Sequence, residues 1–543
     1  MSNTTFDAEA QARAMRAGGW WRDQTLDDVL ARPLAKHPGK TAIVAYRVDR
    51  PEPVRFDYAE FGRRIARAAG SLRSLGVGRG DVVSVQLPNW WEFVVLAFAV
   101  NRLGAVVNPL MPIFRERELR QMLTLAGSKV LVLPKIFRGF DHEAMARVLK
   151  PQLPALGHVV VVDGEGPDSF EHALMQGPGV DLQPGAVAGV SPDDLAVLMF
   201  TSGTTGEPKG VMHSANTLVA GLEALHSGFG LADDDVMLCA SPMGHMTGYL
   251  AIALQAIHAG GTLVLQDVWD AATGVRIMAD EGITHTAAST PFLADICERV
   301  TAGAAKPPMR TFLCAGAPIP PVLIERAMQL MNLRVSSVWG MSESLCSTLT
   351  PPAKAIEKSP KSDGRAVDGV EVKVVDDDRR ELPPGATGRL LVRGAQMFLG
   401  YYKRPEIATF DGEGWFDSGD LAYADTEGYI RINGRTKDVL IRGGENVPVV
   451  EIESVMHQHP AVLACALVGY PDARLGERGC AFVELRPGTT LTLADVQSWM
   501  AEKQVAKQYW PERVEVVEGL PRTPSGKVQK FALRERAKTF ATP

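Results

Sequence analysis

Apolar runs alternate with amphipathic stretches along most of this chain. Phe61, Ile65, Ala68, Leu72 and Leu75 recur at helical spacing behind Asp57 and Glu60, which match a capping box, and Gly76 supplies a stop. VVSVQL from Val82 reads as a buried strand, Trp91 to Leu103 as an apolar helix, and Ala105 to Asn108 as a second strand. A polar helix from Arg115 and the strand KVLVL from Lys129 repeat the cycle, which predicts parallel βα units with helices on both sheet faces. The alternation resumes with LAVLMF at Leu195, TLVLQ at Thr262, THTAAS at Thr284, TFLCAGAP at Thr311 and RVSSVWG at Arg334. These later strands end in small or polar residues, and ligands of open α/β sheets gather at strand carboxyl ends.

A polar leader precedes the first helix, and the Gly-, Pro- and acid-rich stretch from about Gly164 to Ser191 reads as a surface connection. From about Pro360 the pattern changes to short alternating strands, GVEVKVVD, GRLLVRG and GYIRINGR, which predicts a β-rich subdomain. Beyond Gly434 lie a strand at Asp438, a helix from Val450 to His457, strands at Val462 and Cys480, a helix behind Thr492 and Asp495, and a strand at Glu512. The expected fold class is therefore α/β. A large N-terminal domain of βα-layered sheets plus a β-rich subdomain spans 1–436, and a small mobile α+β domain spans 437–543.

At 543 residues the chain exceeds what one core organises. A net charge of -6 and interspersed lysines and arginines argue against nucleic acid or an anionic membrane as partner. Cys239, Cys297, Cys314, Cys346, Cys465 and Cys480 are scattered without a CxxC pair, so neither a disulfide framework nor a zinc site is expected. His457 and His459 lack further ligands nearby and read as a helix end. With no signal-length or bilayer-length apolar segment, the expectation is a soluble cytoplasmic protein.

Chemistry concentrates first in TSGTTGEPKG, which follows the apolar run ending at Phe200. Thr201, Ser202, Thr204 and Thr205 supply hydroxyl donors, Gly203 and Gly206 let backbone N–H groups wrap an anion, and Lys209 adds a point charge. A polar turn has the same composition, and the Walker spacing is not met. Taken alone, the stretch is an anion clamp of unspecified ligand.

Together with GAP at Gly316, WGMSES at Trp339, GWFDSGD at Gly414, GYIRINGRTKDVLIRGGENV at Gly428 and PRTPSGKVQK at Pro521, the chain resembles the adenylate-forming superfamily of acyl-CoA synthetases, firefly luciferase and peptide-synthetase adenylation domains. The motifs stand in family order and cover nearly the whole chain. The resemblance implies attack of a carboxylate on the α-phosphate of MgATP, giving acyl-AMP and pyrophosphate, and then displacement of AMP by a thiol. It assigns the clamp to the β and γ phosphates, Ser342 to the α-phosphate and Glu343 to Mg²⁺. Gly316, Ala317 and Pro318 fall at the adenine, as do Trp339, Gly340 and Met341 at the nucleotide. Asp420 falls at the ribose hydroxyls and Arg435 at ribose or phosphate. The family more often carries Tyr and Thr where this chain has Trp339 and Ser342.

By the same resemblance Lys527 is the catalytic lysine that bridges carboxylate and α-phosphate, and Lys437 is the hinge of a rotating small domain. Rotation would bring Arg442, Gly443, Gly444 and Glu445 to a tunnel for coenzyme A. His245, Gly248, Ala315 and Trp339 fall at the acyl pocket, where Gly248, Ala315 and Gly316 are expected to leave volume and Trp339 to close the far end. The implied partners are a small-molecule carboxylate, ATP and CoA, a lysine acetyltransferase acting on Lys527, and a second copy in a homodimer. The leader AMRAGGWWRDQTLDDVLA resembles bacterial cyclohexanecarboxylate-CoA ligases, which implies an alicyclic acid, with medium-chain or aryl carboxylates next. A carrier-loading adenylation enzyme would share the nucleotide motifs. Luciferase-type oxidation is open by motif.

Overall fold

In the computed structural model the described residues are 7–177, 180–202, 208–316, 319–407, 410–435, 440–442, 445–472, 474–523 and 526–540. One sheet runs in the order Pro208–Ser214, Leu195–Ser202, Val106–Pro109, Val82–Val85, Val130–Pro134 and His158–Val162. Its strands are parallel except for the first pair, which is antiparallel. A larger sheet places Arg334–Met341, Thr311–Cys314, His285–Ala288, Val236–Cys239, Thr262–Gln266 and Thr41–Tyr46 side by side in parallel, with antiparallel strands at both edges. The helices Tyr58–Ser74, Trp91–Arg102 and Ala215–Phe229 fill the core with Phe61, Phe93, Phe98, Leu218 and Leu222, all fully buried. Layers of this kind follow from runs that are apolar on both faces of a parallel sheet.

Val370–Val375, Gly388–Gly394, Phe416–Ala424 and Ile430–Arg435 form an antiparallel four-stranded sheet. The last sheet contains Leu440–Arg442, Glu445–Val447, Val462–Asp472, Gly476–Leu485 and Arg513–Val517, backed by Val449–His457 and Leu493–Glu502. Thr492 and Asp495 close a reciprocal capping box on the second of these helices.

Three expectations change. The leader is not merely polar: Leu26–Lys36 is a helix capped by Thr25, and Thr41–Tyr46 is a buried strand beside Thr262–Gln266. The stretch from Gly164 to Ser191 is more than a surface connection, because Phe170, Leu174 and Leu182 are buried. Arg67 also donates to the Met175 and Gly177 carbonyls, and Arg102 to that of Leu182. Asp57 caps the amide of Glu60, but the Glu60 carboxylate turns to Arg63 and Arg64 instead of reaching back.

All six cysteines are free and buried. Among the described residues no helix is long and apolar enough to cross a membrane.

The imidazole of His142 is fully buried, edge-on to Phe140, with neither ring nitrogen hydrogen-bonded. Burial, reinforced by Arg115, pushes its pKa from 6.5 down to about 4. The unfolded chain therefore binds this proton more readily than the folded one. The site's contribution is intact above about pH 6.5 and lost as pH falls toward 4, at up to about 1.4 kcal/mol per pH unit. His142→Met should flatten that slope and raise stability by about 1–2 kcal/mol at pH 5, read from denaturant melts at pH 5 and 7.5. An unchanged slope would show that the proton is taken up elsewhere.

Candidate functional site

The clamp lies between two paired strands of a β-hairpin. Leu195–Ser202 and Pro208–Ser214 pair antiparallel, with Thr201 opposite Lys209 and Ser202 opposite Pro208. Gly203, Thr204, Thr205 and Gly206 lie outside the described residues, and Ser202 is described in its backbone only.

Four neighbouring parallel strands, Val236–Cys239, His285–Ala288, Thr311–Cys314 and Arg334–Met341, bring their carboxyl ends together. His245 lies a short loop beyond the first, Ser289 and Pro291 beyond the second, Ala315 and Gly316 beyond the third, and Ser342 beyond the fourth. Gly316 has a φ of +84° with open space where a side chain would stand, and Ala315 packs on the core. Ala317 and Pro318 lie outside the described residues.

Ser342 and Glu343 sit at the tip of a second hairpin, between Arg334–Met341 and Leu345–Leu349. Its pairing slips between Trp339 and Gly340, and a Cβ on Gly340 would fall 1.8 Å from the Leu345 carbonyl oxygen. Glycine is required there by a backbone approach. The tip is held from below by His213, whose Nε2–H donates to the Ser342 carbonyl at 2.7 Å while Nδ1 accepts from Thr217 Oγ1 at 3.0 Å. Burial pushes His213 to about 4, so the ring is neutral and suited to that pair of roles.

The buried Glu343 carboxylate accepts from the Tyr401 hydroxyl at 2.7 Å, and burial with this neighbour pushes the phenol upward, keeping it a donor. Among the described residues no group of three His, Cys, Asp or Glu could hold a metal ion. Glu343 would thus be a single protein ligand, and one carboxylate plus substrate phosphates is the usual holding of Mg²⁺, so the donor set fits.

Asp420 is buried and doubly held: Trp339 Nε1–H donates to Oδ2 at 2.8 Å and Arg435 Nε–H to Oδ1 at 2.9 Å. Trp339, expected at both the nucleotide and the acyl pocket, commits its indole N–H to Asp420. Gly248 differs from expectation, since a Cβ there would meet the Ser241 and Pro242 carbonyl oxygens at 2.4 Å. It permits a tight turn and adds no pocket volume. Met341 is partly buried against the core.

His245 caps the turn Met246–Gly248, with Nδ1 accepting from the Thr247 amide and hydroxyl at 3.3 and 3.2 Å. Burial, and secondarily the charge of Lys527, lower it to about 4. The neutral ring therefore carries its proton on Nε2. The proximity implied by that second cause agrees with Gly526, where an added side chain would come within 2.8 Å of Ser289 Oγ. The lysine loop thus lies over the strand ends. Within the loop, the Thr523 amide donates to the Lys527 carbonyl at 2.7 Å, and the Lys527 amide to Thr523 Oγ1 at 3.1 Å. Lys530, three residues on, is tied to Glu453 at 2.6 Å.

Arg442 is not at this cleft. Its Nε–H donates to Glu512 at 2.6 Å, within the small domain. Gly443, Gly444 and Lys437 lie outside the described residues, and Glu445 is described in its backbone only, opposite Arg442. Arg486 and Glu298 meet across the domain boundary at 3.8 Å, both substantially exposed.

Three residues at the site escaped sequence reasoning. His213 acts on a backbone carbonyl, which leaves no pattern. Tyr401 and Phe398 belong to the stretch Phe-Leu-Gly-Tyr-Tyr between motifs, where only the aromatics hinted at a role.

Residues 30–402 match the family described as AMP-binding enzyme, and residues 451–527 match the AMP-binding enzyme C-terminal domain. The chain is 35% identical over 537 residues to the medium-chain fatty-acid–CoA ligase of Escherichia coli, covering 98% of this chain and 93% of that protein. It is 34% identical to the 2-hydroxy-7-methoxy-5-methyl-1-naphthoate–CoA ligase of Streptomyces carzinostaticus, covering 96% and 94%. Among solved structures, ATP-bound MatB from Rhodopseudomonas palustris superposes with a TM-score of 0.82 at 29% identity, covering 95% of this chain and 99% of that one. With the family match spanning most of its length and both domains accounted for, the chain belongs to the AMP-binding enzyme family, within the adenylate-forming superfamily.

Proposed function

We propose that this AMP-forming carboxylate–CoA ligase acts on a compact acid, with cyclohexanecarboxylate or a similar alicyclic carboxylate as the preferred substrate. The observation that carries the adenylation chemistry is the lysine loop packed against Ser289 and Pro291, beyond one of the four converging strand ends, with Lys527 near His245 beyond another. In the first half-reaction a carboxylate oxygen bonds to the α-phosphorus of ATP as the bond to pyrophosphate breaks. Charge gathers on the phosphoryl oxygens, where Lys527 and the Ser342 hydroxyl supply a cation and a donor. Mg²⁺ on Glu343 would supply further neutralisation of phosphate charge. Asp420, oriented by Trp339 and Arg435, keeps acceptor capacity for ribose hydroxyls. In the second half-reaction the CoA sulfur bonds to the acyl carbon and AMP leaves with the electron pair. The small domain turns about Lys437 between the two steps, and Arg442, Gly443, Gly444 and Glu445 then line the thiol's path.

Apart from Glu343, no fixed charge occurs in the stretches around His245, Ala287 to Pro291, Cys314 to Gly316 and Trp339 to Cys346. A second charge on the acid would therefore be buried without a partner. Medium-chain and aryl acids are the second reading, favoured by the names of the two relatives. Lys527 is also proposed as the acetylation target of its loop, since acetylation would remove the charge that adenylation needs. A panel of cyclohexanecarboxylate, cyclohexenecarboxylate, benzoate and linear acids, each with ATP and CoA, tests the assignment. The alicyclic acids should give the highest kcat/KM for thioester formation. A linear acid that exceeds them by tenfold would reassign the substrate, and pyrophosphate release without any CoA thioester would point to a carrier protein as acceptor.

A further inference from the structure

We propose that Tyr401 is a positioning residue that couples the phosphate-binding hairpin to the carboxylate of Glu343, holding that carboxylate and the Lys209 ammonium apart on one side chain. The inference rests on the adenylation reading and extends it to a residue outside the recognised motifs. Residues 398–402 run between the two hairpins and are bonded to both. On the clamp side, the Leu399 amide donates to the Met212 carbonyl at 2.8 Å, the Met212 amide to Gly400 at 3.2 Å and the Tyr402 amide to Gly210 at 2.8 Å. Tyr401 itself stands opposite Val211 in an antiparallel bridge. On the other side, the Phe398 amide donates to the Glu343 carbonyl at 2.8 Å. The backbone of Tyr401 is thus fixed to the strand that carries Lys209.

Its side chain does the rest. The hydroxyl donates to Glu343 Oε1 at 2.7 Å, and Lys209 Nζ lies 4.9 Å from the ring centroid. The aromatic ring is buried edge-on to Phe398, 5.0 Å between centroids, and Phe398 packs in turn on Phe410 and Phe416. That cluster leaves the phenol little freedom. An ammonium is attracted to a ring face by the quadrupole, whereas a hydroxyl at the ring's edge directs a carboxylate. Tyrosine therefore offers one position to each charge. A direct Lys209–Glu343 ion pair would neutralise the carboxylate needed for a hard cation and withdraw the cation needed for phosphate. Groups that orient a metal ligand typically change metal affinity by about 10–100-fold when removed.

The test separates the two contacts. Tyr401→Phe keeps the ring and removes the hydroxyl, and Tyr401→Leu removes both. Binding of a non-hydrolysable ATP analogue is measured by calorimetry with and without Mg²⁺, alongside the Mg²⁺ dependence of pyrophosphate release. Tyr401→Phe should reduce the Mg²⁺-dependent gain in nucleotide affinity by about tenfold. It should leave metal-free nucleotide affinity and the KM for the acid within about twofold, and high Mg²⁺ should restore its rate. Tyr401→Leu should weaken metal-free binding as well. The proposal is overturned if Tyr401→Phe keeps the full Mg²⁺ gain, or if both variants lose both affinities equally. Wild-type protein that shows no nucleotide binding would overturn the adenylation reading itself, which is a distinguishable result.

Discussion

Lys527→Ala should lower acyl-AMP formation by about 10²–10³-fold or more while leaving thioester formation from supplied acyl-AMP within about twofold. The asymmetry follows from position. Lys527 reaches the cleft from a loop stacked on Ser289 and Pro291, where it depresses His245. Its cation bears on the step in which negative charge accumulates at phosphorus. On the proposed reading the sulfur approaches in the second step with the small domain turned and the lysine withdrawn, which would leave the side chain nothing to stabilise. Pyrophosphate release reports the first half-reaction, and CoA-thioester formation from synthetic acyl-AMP reports the second. Equal loss in both would remove the catalytic assignment. A Lys527→Arg variant adds a control, since a charge of different shape should recover only part of the rate if bridging geometry matters.

Gly340→Ala should be nearly as damaging, by another route. The added methyl would lie 1.8 Å from the Leu345 carbonyl oxygen, an atom of backbone held by the pairing of Gly340 with Cys346. Nothing flexible can yield. The hairpin must open, with a loss of about 3 kcal/mol or more in denaturant melts, and the tip bearing Ser342 and Glu343 moves with it. Adenylation should fall by at least about tenfold even where the protein remains folded, because a small misplacement of catalytic groups is costly. Gly316→Ala is the comparison. Its φ of +84° imposes strain of about 1–2 kcal/mol, but the space around it is open, so its effect should be smaller. A Gly340→Ala enzyme with unaltered stability would show that the hairpin tolerates a register change.

What could be read from the sequence was whatever leaves a period or a motif. The apolar runs at Val82, Lys129, Thr262 and Thr311 became strands because residues buried on both faces leave an uninterrupted signal. TAIVAY did not stand out: it is short, flanked by Lys40 and Arg47, and stabilised by Thr262–Gln266, far away in sequence. Pro208–Ser214 was similarly hidden, since Lys209 and His213 break its apolar pattern and its partner strand supplies the pairing.

Among the site residues, motif order brought out the candidates but not their orientation. Trp339 could be named as a departure from the family's tyrosine, yet its bond to Asp420 depends on a strand from another sheet. Gly248 looked like space because glycine is small, whereas the carbonyls of Ser241 and Pro242 make it a necessity of the turn.

The meeting of Arg486 with Glu298 at 3.8 Å, both partly in solvent, bears on how the small domain is kept in place. Exposed pairs of this kind hold about 0–1 kcal/mol, and Glu298 already engages Arg326 at 2.7 Å. Arg442–Glu512 and Lys530–Glu453 lie wholly inside the small domain and would survive any turn intact. The turn proposed above would break the exposed Arg486–Glu298 pair and leave those two intact. Because that pair holds the present arrangement by no more than about 1 kcal/mol, a ligand filling the cleft can outweigh it.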